Sequence, residues 1–393
     1  MTAIASFDLV VIGGGIHGAG VAQAAAARGF SVLLLEQTAL AAGTSSRSSK
    51  LIHGGLRYLE TGQFGLVREC LRERGVLLRL APQLVRLKPF YLPIYRGARR
   101  GTWQIRTGLG LYAALGSFAR DARFTRLSRR EIDNLDGLRS DGLKAVFRYY
   151  DAQTDDAALT RAVADSARFL GAQVLVPAQF ESGVVRDDYV IVHYRHGGIT
   201  HECSTKTLVN AGGPWANEVL SRITPAQPQL QVRLVQGTHI LVPGKLQHGI
   251  YYAPSPSDQR PVFVMPWNDS IMVGTTEHEY HGDPAAVKPR PDERIYLLEV
   301  LSYYFPRYAS AEAARVSSAF AGLRVLPQLG DDLNRAPRDT TLHVDDEVRP
   351  RVLTIYGGKL TAYRLTSANV VDRLLGVLPA REIKARTDQL RLV

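Results

Sequence analysis

The stretch Asp8-Leu9-Val10-Val11-Ile12-Gly13-Gly14-Gly15-Ile16-His17-Gly18 decides how this chain folds. Its first five residues read as a short strand, and Gly13-x-Gly15-x-x-Gly18 follows without a break. The alanine-rich segment from Ile16 to Arg28 predicts a helix stopped by Gly29. Ser31 to Leu35 predicts a second apolar strand, closed by Glu36. Strand, glycine turn, helix, strand and acid, in this order, form a dinucleotide-binding βαβ unit. Gly13 makes the tight turn, Gly15 lets a pyrophosphate approach the backbone, and Gly18 lets the helix pack closely on the strand. The helix N-terminus then turns its N–H groups and positive dipole end toward the phosphates. Glu36 is expected to accept hydrogen bonds from the ribose hydroxyls of the adenosine half. An acid there favours an unphosphorylated ribose, hence FAD or NAD over NADP.

The chain around this unit has 393 residues, enough for two or three domains with their own cores. Hydrophobic residues make up 45%, which excludes wholesale disorder. Cys70 and Cys203 are its two cysteines, with no C-x-x-C or zinc spacing, so neither a disulfide framework nor a metal is expected. No run of about 18 apolar residues predicts a membrane span, and the N-terminus lacks the basic region of a signal peptide. The net charge of +11 is uneven. Between Arg86 and Arg130 stand eleven basic residues and a single acid, Asp121. Such a segment points to one localised anionic partner.

Beyond Glu36 comes a donor-rich run, Gly43-Thr44-Ser45-Ser46-Arg47-Ser48-Ser49-Lys50, leading into Leu51-Ile52-His53-Gly54-Gly55-Leu56-Arg57-Tyr58-Leu59-Glu60. Its hydroxyls and cations lie close enough to the glycine turn to suggest contacts with a large cofactor. With the glycine fingerprint, this run closely resembles the FAD-dependent glycerol-3-phosphate dehydrogenases of the aerobic, respiratory type. They share a fold with D-amino-acid and glycine oxidases. The resemblance extends from about Asp8 to about Arg364. It includes Gly237-Thr238-His239, Gly322-Leu323-Arg324-Val325-Leu326-Pro327, Arg338-Asp339 and Tyr356-Gly357-Gly358-Lys359-Leu360-Thr361-Ala362-Tyr363.

The rest of the chain reads in keeping with this. Phe64 to Leu80 is an amphipathic helix with Cys70 on its core face, ended by Pro82. Thr154-Asp155-Asp156 opens a helix that Gly171 stops. Val174 to Val176, Tyr189 to Tyr194 and Thr207 to Asn210 are strands, with a hairpin turn at Gly197-Gly198. Short runs at Val232 to Val235, His239 to Val242, Val262 to Met265 and Ile271 to Val273 predict an antiparallel sheet. Val352 to Ile355 is a strand feeding a Gly-Gly turn, with a helix starting near Thr361. The expected class is α/β: a Rossmann-like FAD-binding domain with a second, mostly antiparallel β substrate domain, as in D-amino-acid and glycine oxidases. The FAD-binding domain is assigned to residues 1–85, 145–225 and 345–393, and the substrate domain to 86–144 and 226–344.

The resemblance implies oxidation of sn-glycerol 3-phosphate to dihydroxyacetone phosphate, by hydride transfer to flavin N5, with electrons passed to membrane quinone. Cofactor contacts are expected from Gly13, Gly15, Gly18, Glu36, Thr44, Ser45, Ser46, Ser49, Lys50, Leu51, His53, Gly54, Gly55, Gly212, Gly357, Gly358, Lys359, Leu360 and Thr361. Arg57, Arg324, Arg338 and Lys359 are the candidates for the phosphate and the developing oxyanion, because arginine's planar fork suits phosphate. Tyr58 is the candidate for positioning and His239 for taking the C2 hydroxyl proton. About thirty residues follow Lys359, fewer than the family's usual C-terminal helical domain requires, so that domain is expected to be missing. The rival enzyme is an FAD-dependent oxidase of another 2-hydroxy acid or amino acid, using oxygen.

A third reading makes the chain a basic binding module. Phe90, Tyr91, Tyr95, Trp103, Tyr112, Phe118 and Phe124 interleave with the arginines of 86–130. Interleaving of this kind serves an anionic membrane surface or single-stranded nucleic acid, or belongs to a solvated face with core-packed aromatics. The membrane reading is preferred and nucleic acid is not expected. The cations assigned to the phosphates lie outside the segment, so its charge is surplus to catalysis. The expected location is cytoplasmic, attached peripherally to the inner face of the cell membrane. A homo-oligomer is compatible with the sequence.

Overall fold

The computed structural model describes residues 4–117, 120–310, 315–328 and 340–392. The opening stretch forms the strand Ala5–Ile12, the turn, the helix Ile16–Ala27 and the strand Val32–Leu35. Ala5–Ile12 lies at the centre of a nine-stranded sheet. Its neighbours Ile199–Asn210 and Val32–Leu35 run parallel to it, and Val352–Tyr356 and Gln173–Leu175 extend the parallel set. These strands are apolar on both faces because both faces are covered. The helices Asp156–Phe169 and Tyr363–Leu374 pack with Ile16–Ala27 around Leu9, Val11, Leu34 and Val209. Phe7, Val10, Ile12 and Leu33 face the other way, toward the hairpin strands Ala178–Val185 and Val190–His196. The parallel strands end together at Gly13, Glu36, Ala211 and Gly357, the edge where α/β sheets hold ligands.

Gly18 makes this packing possible. A β-carbon on Gly18 would lie 1.8 Å from the Gly13 carbonyl oxygen. Any side chain there would push the helix off the strand.

The second sheet has ten strands. Its path runs His278–Tyr280, Val232–Pro243, Ser270–Gly274, Pro261–Trp267, Ile250–Pro254, Val85–Tyr95, Leu143–Thr154, Leu51–Ile52. It is antiparallel except where Ile250–Pro254 meets Val85–Tyr95. The two runs expected at Val232 to Val235 and His239 to Val242 are one strand. Gly237 does not break it, because Ser318–Pro327 pairs along its whole length and sets Gly322 opposite Gly237. The sheet is backed by the helix Pro291–Tyr304 on one core and by Phe64–Leu80 and Thr102–Leu115 on another.

The sheets do not divide where the expected domains do. Leu51–Ile52 and all of Leu143–Thr154 belong to the second sheet, and Thr341–Val344 to the first. The 144/145 boundary falls inside a strand paired with Val85–Tyr95 from end to end. A strand's partner is non-local, so local composition does not mark this crossing.

The basic segment is built into this sheet and its helices. Phe90, Tyr91, Tyr95 and Tyr112 are buried and Phe124 is half-buried, whereas Trp103 is 76% exposed. Phe118 lies outside the described residues. The buried aromatics of the segment are part of the core and cannot stack on bases, so Trp103 is its exposed aromatic among the described residues. Asp121 turns inward, its Oδ2 2.5 Å from Arg74 Nη2, while Arg74 Nη1 holds Asp151 at 2.6 Å. Arg96, Arg99, Arg106, Arg123, Arg126, Arg129 and Arg130 face solvent. Among the described residues, no helix is long and apolar enough to cross a membrane.

Candidate active site

A cavity of about 620 Å³ opens between the C-terminal edge of the parallel strands and the second sheet. Its floor is the glycine turn, with Gly13, Gly14, Gly15 and His17, and its roof carries His239, Thr275, Glu277 and Arg324. Glu36 is buried at its rim. Oε2 accepts the Gly14 N–H at 2.7 Å, and Oε1 accepts Thr38 N–H and Oγ–H at 2.8 and 3.0 Å. A carboxylate oxygen can accept more than one hydrogen bond, so these contacts orient Glu36 and leave acceptor capacity for ribose hydroxyls. At the far end, Gly357 and Gly358 turn with φ of +75° and +112°. A β-carbon on Gly358 would stand 2.1 Å from His17 Nε2. The cradle therefore requires backbone without side chains at both ends, as a long dinucleotide does.

The serine-rich run works differently from its expected role. Ser45 Oγ accepts the Ile16 N–H at 2.9 Å, and Thr44 Oγ donates to the Leu323 carbonyl at 2.7 Å. Ser48 donates to Asp156 Oδ2 through its backbone N–H at 3.0 Å and its hydroxyl at 2.6 Å. Lys50, held at φ +60°, turns away from the cavity and puts Nζ 2.5 Å from Asp156 Oδ1 and 2.5 Å from the Ser46 carbonyl. Most of these donors hold the loop in place, and their repeated spacing in sequence hides that division of labour.

Of the expected cofactor residues, Gly13, Gly15, Glu36, Thr44, Ser45, Ser49, Leu51, His53, Gly212, Gly357, Gly358, Lys359, Leu360 and Thr361 line the cavity. Gly18, Ser46, Lys50, Gly54 and Gly55 stand behind that wall. Gly54 donates its N–H to Tyr112 Oη at 2.9 Å, and Tyr112 donates to Asp151 at 2.7 Å, so the His53-Gly54-Gly55 turn rests on a buried network. Thr361 Oγ is engaged with the His53 backbone N–H at 3.0 Å.

Among the expected catalytic residues, Tyr58, His239, Arg324 and Lys359 meet at the cavity. Lys359 Nζ lies 4.4 Å from the centre of the Tyr58 ring. Arg57 stands just outside, 4.0 Å from Glu277, and Arg324 reaches Glu277 at 3.6 Å. Arg338 lies outside the described residues. The His239 ring stacks on Phe320 at 5.0 Å, and its Nε2 lies 3.0 Å from Ser49 Oγ. Desolvation, helped by the charges of Lys50 and Arg324, pushes its pKa down to about 3. Desolvation also lowers His17 to about 4 and depresses His53. These imidazoles are neutral at neutral pH.

Sequence reasoning missed His17, Asp156 and Glu277. His17 occupies an unspecified position of the glycine pattern. Asp156 reads only as part of a helix start. Glu277 carries no local signal at all.

A cavity floored by a glycine turn and roofed by an antiparallel sheet defines an FAD-dependent oxidoreductase. The chain belongs to that family: residues 8–364 match the FAD dependent oxidoreductase (DAO) family. It is 40% identical over 378 residues to the glycerol-3-phosphate dehydrogenase of Pseudomonas aeruginosa, covering 94% of this chain and 71% of the relative. It is 36% identical to the D-erythritol 1-phosphate dehydrogenase of Brucella abortus, covering 95% of this chain and 74% of the relative. The crystal structure of the Bacillus halodurans glycerol-3-phosphate dehydrogenase complexed with FAD superposes with a TM-score of 0.76 at 28% identity, covering 98% of this chain and 68% of that one. FAD is the cofactor, and the cradle between Glu36 and Gly358 fits it.

Two expectations follow. Asp156→Ala leaves the buried Lys50 ammonium without its carboxylate, which costs about 3–5 kcal/mol. The variant should melt earlier and purify with less flavin per protein by absorbance. Second, unfolding lets His17 and His239 return to a pKa near 6.5 and take up protons. Their neutrality therefore supports the fold fully above that pH, and the support is lost as pH falls toward about 4 and about 3. At pH 5 each should cost about 2 kcal/mol, and His239→Asn should flatten the fall in urea-melt stability between pH 7 and 5.

Proposed function

We propose that this enzyme oxidises sn-glycerol 3-phosphate to dihydroxyacetone phosphate. The observation that carries the reading is the Arg324 guanidinium at the roof of the FAD cavity, with Arg57 just outside it, both beside Glu277. Planar forks suit a phosphate dianion, whereas a hydroxy or amino acid offers a single carboxylate charge. The two curated relatives described above are named for phosphorylated polyols, which supports the same class of substrate. Arg338 and Lys359 complete the proposed cation set.

The bound FAD supplies the hydride acceptor, at flavin N5. The chain's own task is to orient the C2–H bond toward it and to remove the C2 hydroxyl proton. His239 is neutral, though its depressed pKa makes it a weak base in the resting site; its Nδ1 is buried with no hydrogen-bond partner among the described residues and its Nε2 faces Ser49. The proton therefore travels through Ser49 Oγ, at the cavity wall, to His239 Nε2. A phosphate seated on Arg324 offsets one of the charges that depress His239, which raises its basicity when substrate is present. Tyr58, beneath Lys359, positions the substrate.

Anaerobic addition of glycerol 3-phosphate should bleach the oxidised flavin spectrum, and amino acids and 2-hydroxy acids should not. An unchanged spectrum with glycerol 3-phosphate removes this reading and favours the oxidase. Ser49→Ala should slow bleaching by about 10²-fold or more, as loss of a proton-transfer group does.

For the electrons we propose membrane quinone, reached at an anionic membrane face. Trp103 and Arg106 on the helix Thr102–Leu115, with Arg99, Arg123 and Arg126, supply an exposed aromatic and several exposed cations. The purified enzyme should float with phosphatidylserine vesicles at low salt and release as salt rises. Absence from the vesicle fraction at low salt would count against docking.

A further inference from the structure

In the roof strand Val232–Pro243, Gly237 and His239 face the cavity, while Gln236 and Thr238 are buried behind it. The segment beside it alternates in the same way, with Thr275 and Glu277 at the cavity and Thr276 buried behind. The register between the two slips at this point. His239 pairs with Gly274 and Gln236 with His278, so Gly237 and Thr238 stand opposite Thr275, Thr276 and Glu277. An extra residue on one side is a β-bulge, which re-aims side chains and locally disrupts the ladder. A backbone bond across it, from Thr276 N–H to the Thr238 carbonyl, is long at 3.4 Å. Between these two segments, regular pairing is interrupted at the residues that roof the site.

A carboxylate bridges the bulge from outside the cavity. Glu293 lies in the first turn of the helix Pro291–Tyr304 and is 1% exposed. Its Oε2 accepts Gln236 Nε2–H and Thr238 Oγ–H, both at 2.6 Å, and the Arg290 N–H at 3.0 Å. Its Oε1 accepts Thr276 Oγ–H at 2.6 Å. Thr276 Oγ in turn accepts the Thr238 N–H at 2.9 Å, so carboxylate and hydroxyl together link both sides of the bulge. Gln236 also donates to the Lys288 carbonyl at 3.1 Å, which ties in the loop whose Pro284, Ala285 and Val287 line the cavity. Capping the helix would need only the Arg290 bond. The other bonds go to side chains that alternate with the cavity wall. A buried carboxylate is costly unless hydrogen-bonded, so these donors fix its position and it fixes theirs. We propose that Glu293 is a positioning residue: it holds the bulge in place and thereby sets where His239 stands against Ser49 and the flavin. It acts through Thr238 and Thr276 and does not line the cavity. This rests on the reading of His239 as the group that takes the C2 hydroxyl proton.

The test uses the FAD-loaded enzyme. Glu293→Leu removes the acceptors and keeps the bulk, so flavin bleaching at saturating glycerol 3-phosphate should slow at least about tenfold, with KM changing less. Thr276→Val removes the hydroxyl that spans the bulge and should slow bleaching in the same way. Both act on one link, so Glu293→Leu/Thr276→Val should be little slower than Glu293→Leu alone. A carboxylate that only supported the fold would lower the melting temperature on removal and leave the rate per bound flavin unchanged. That result, in a Glu293→Leu enzyme with full flavin content, overturns the proposal, and so do fully additive losses in the double variant. If Glu293→Leu fails to fold, Thr276→Val decides by the same rate. Bleaching of His239→Asn at the wild-type rate, or no bleaching of the wild type by glycerol 3-phosphate, defeats the mechanism on which the proposal rests. The visible circular dichroism of the bound flavin then judges Glu293: it should differ between wild type and variant, and an identical spectrum overturns the positioning role.

Discussion

A buried carboxylate stands where the two sheets meet, and it anchors the loop that walls the cavity between them. The strand Leu143–Thr154 belongs to the second sheet, and the helix Asp156–Phe169 packs on the first. Asp156 stands at that crossing with no exposed surface. A buried carboxylate must be paired and hydrogen-bonded, and here Lys50 and Ser48 supply both. The loop that walls the cavity is thereby anchored at the seam between sheets. Ser49, the neighbour of both, is held against His239, which brings the loop beyond the first βαβ unit to the roof of the site.

Electrostatics in the cavity follow from the same layout. Its glycine edge offers backbone N–H groups and a helix N-terminus, which suit phosphate oxygens without adding side chains. Its roof carries side-chain charge, concentrated around Glu277. Imidazoles on both faces are kept neutral, His17 on the floor by desolvation and His239 on the roof by desolvation and the charges of Lys50 and Arg324. A site of this kind can hold anions and still keep an uncharged imidazole beside them.

The legible part of the fold was the part governed by local rules. Ile16–Ala27, Phe64–Leu80 and Asp156–Phe169 announce themselves by periodicity, caps and stops, and the strand–glycine–helix–strand unit by its order. The antiparallel character of the second sheet was also readable from its short β-rich runs. Its extent was not: Val232–Pro243 runs unbroken through Gly237 only because partners lie on its edges. In the site, the place of the glycine turns and Glu36 at the cavity could be read from sequence. The donors of 44–50 could not be apportioned, because a serine that holds a loop and a serine that faces a cavity look alike in the chain.

By itself the sequence determined that the chain builds a dinucleotide cradle on a parallel sheet, since glycine spacing and apolar strands leave the backbone few alternatives. It also determined that a localised excess of positive charge exists. Tertiary structure alone decided where the charges act. It turned Lys50 and Asp121 inward, buried most of the aromatics of the basic segment, and brought Arg57 and Arg324 from distant parts of the chain to Glu277. The reason is physical. A conformational pattern is set by neighbours along the chain, whereas the partner of a charge is set by which elements the packing of the two sheets brings within a few ångströms.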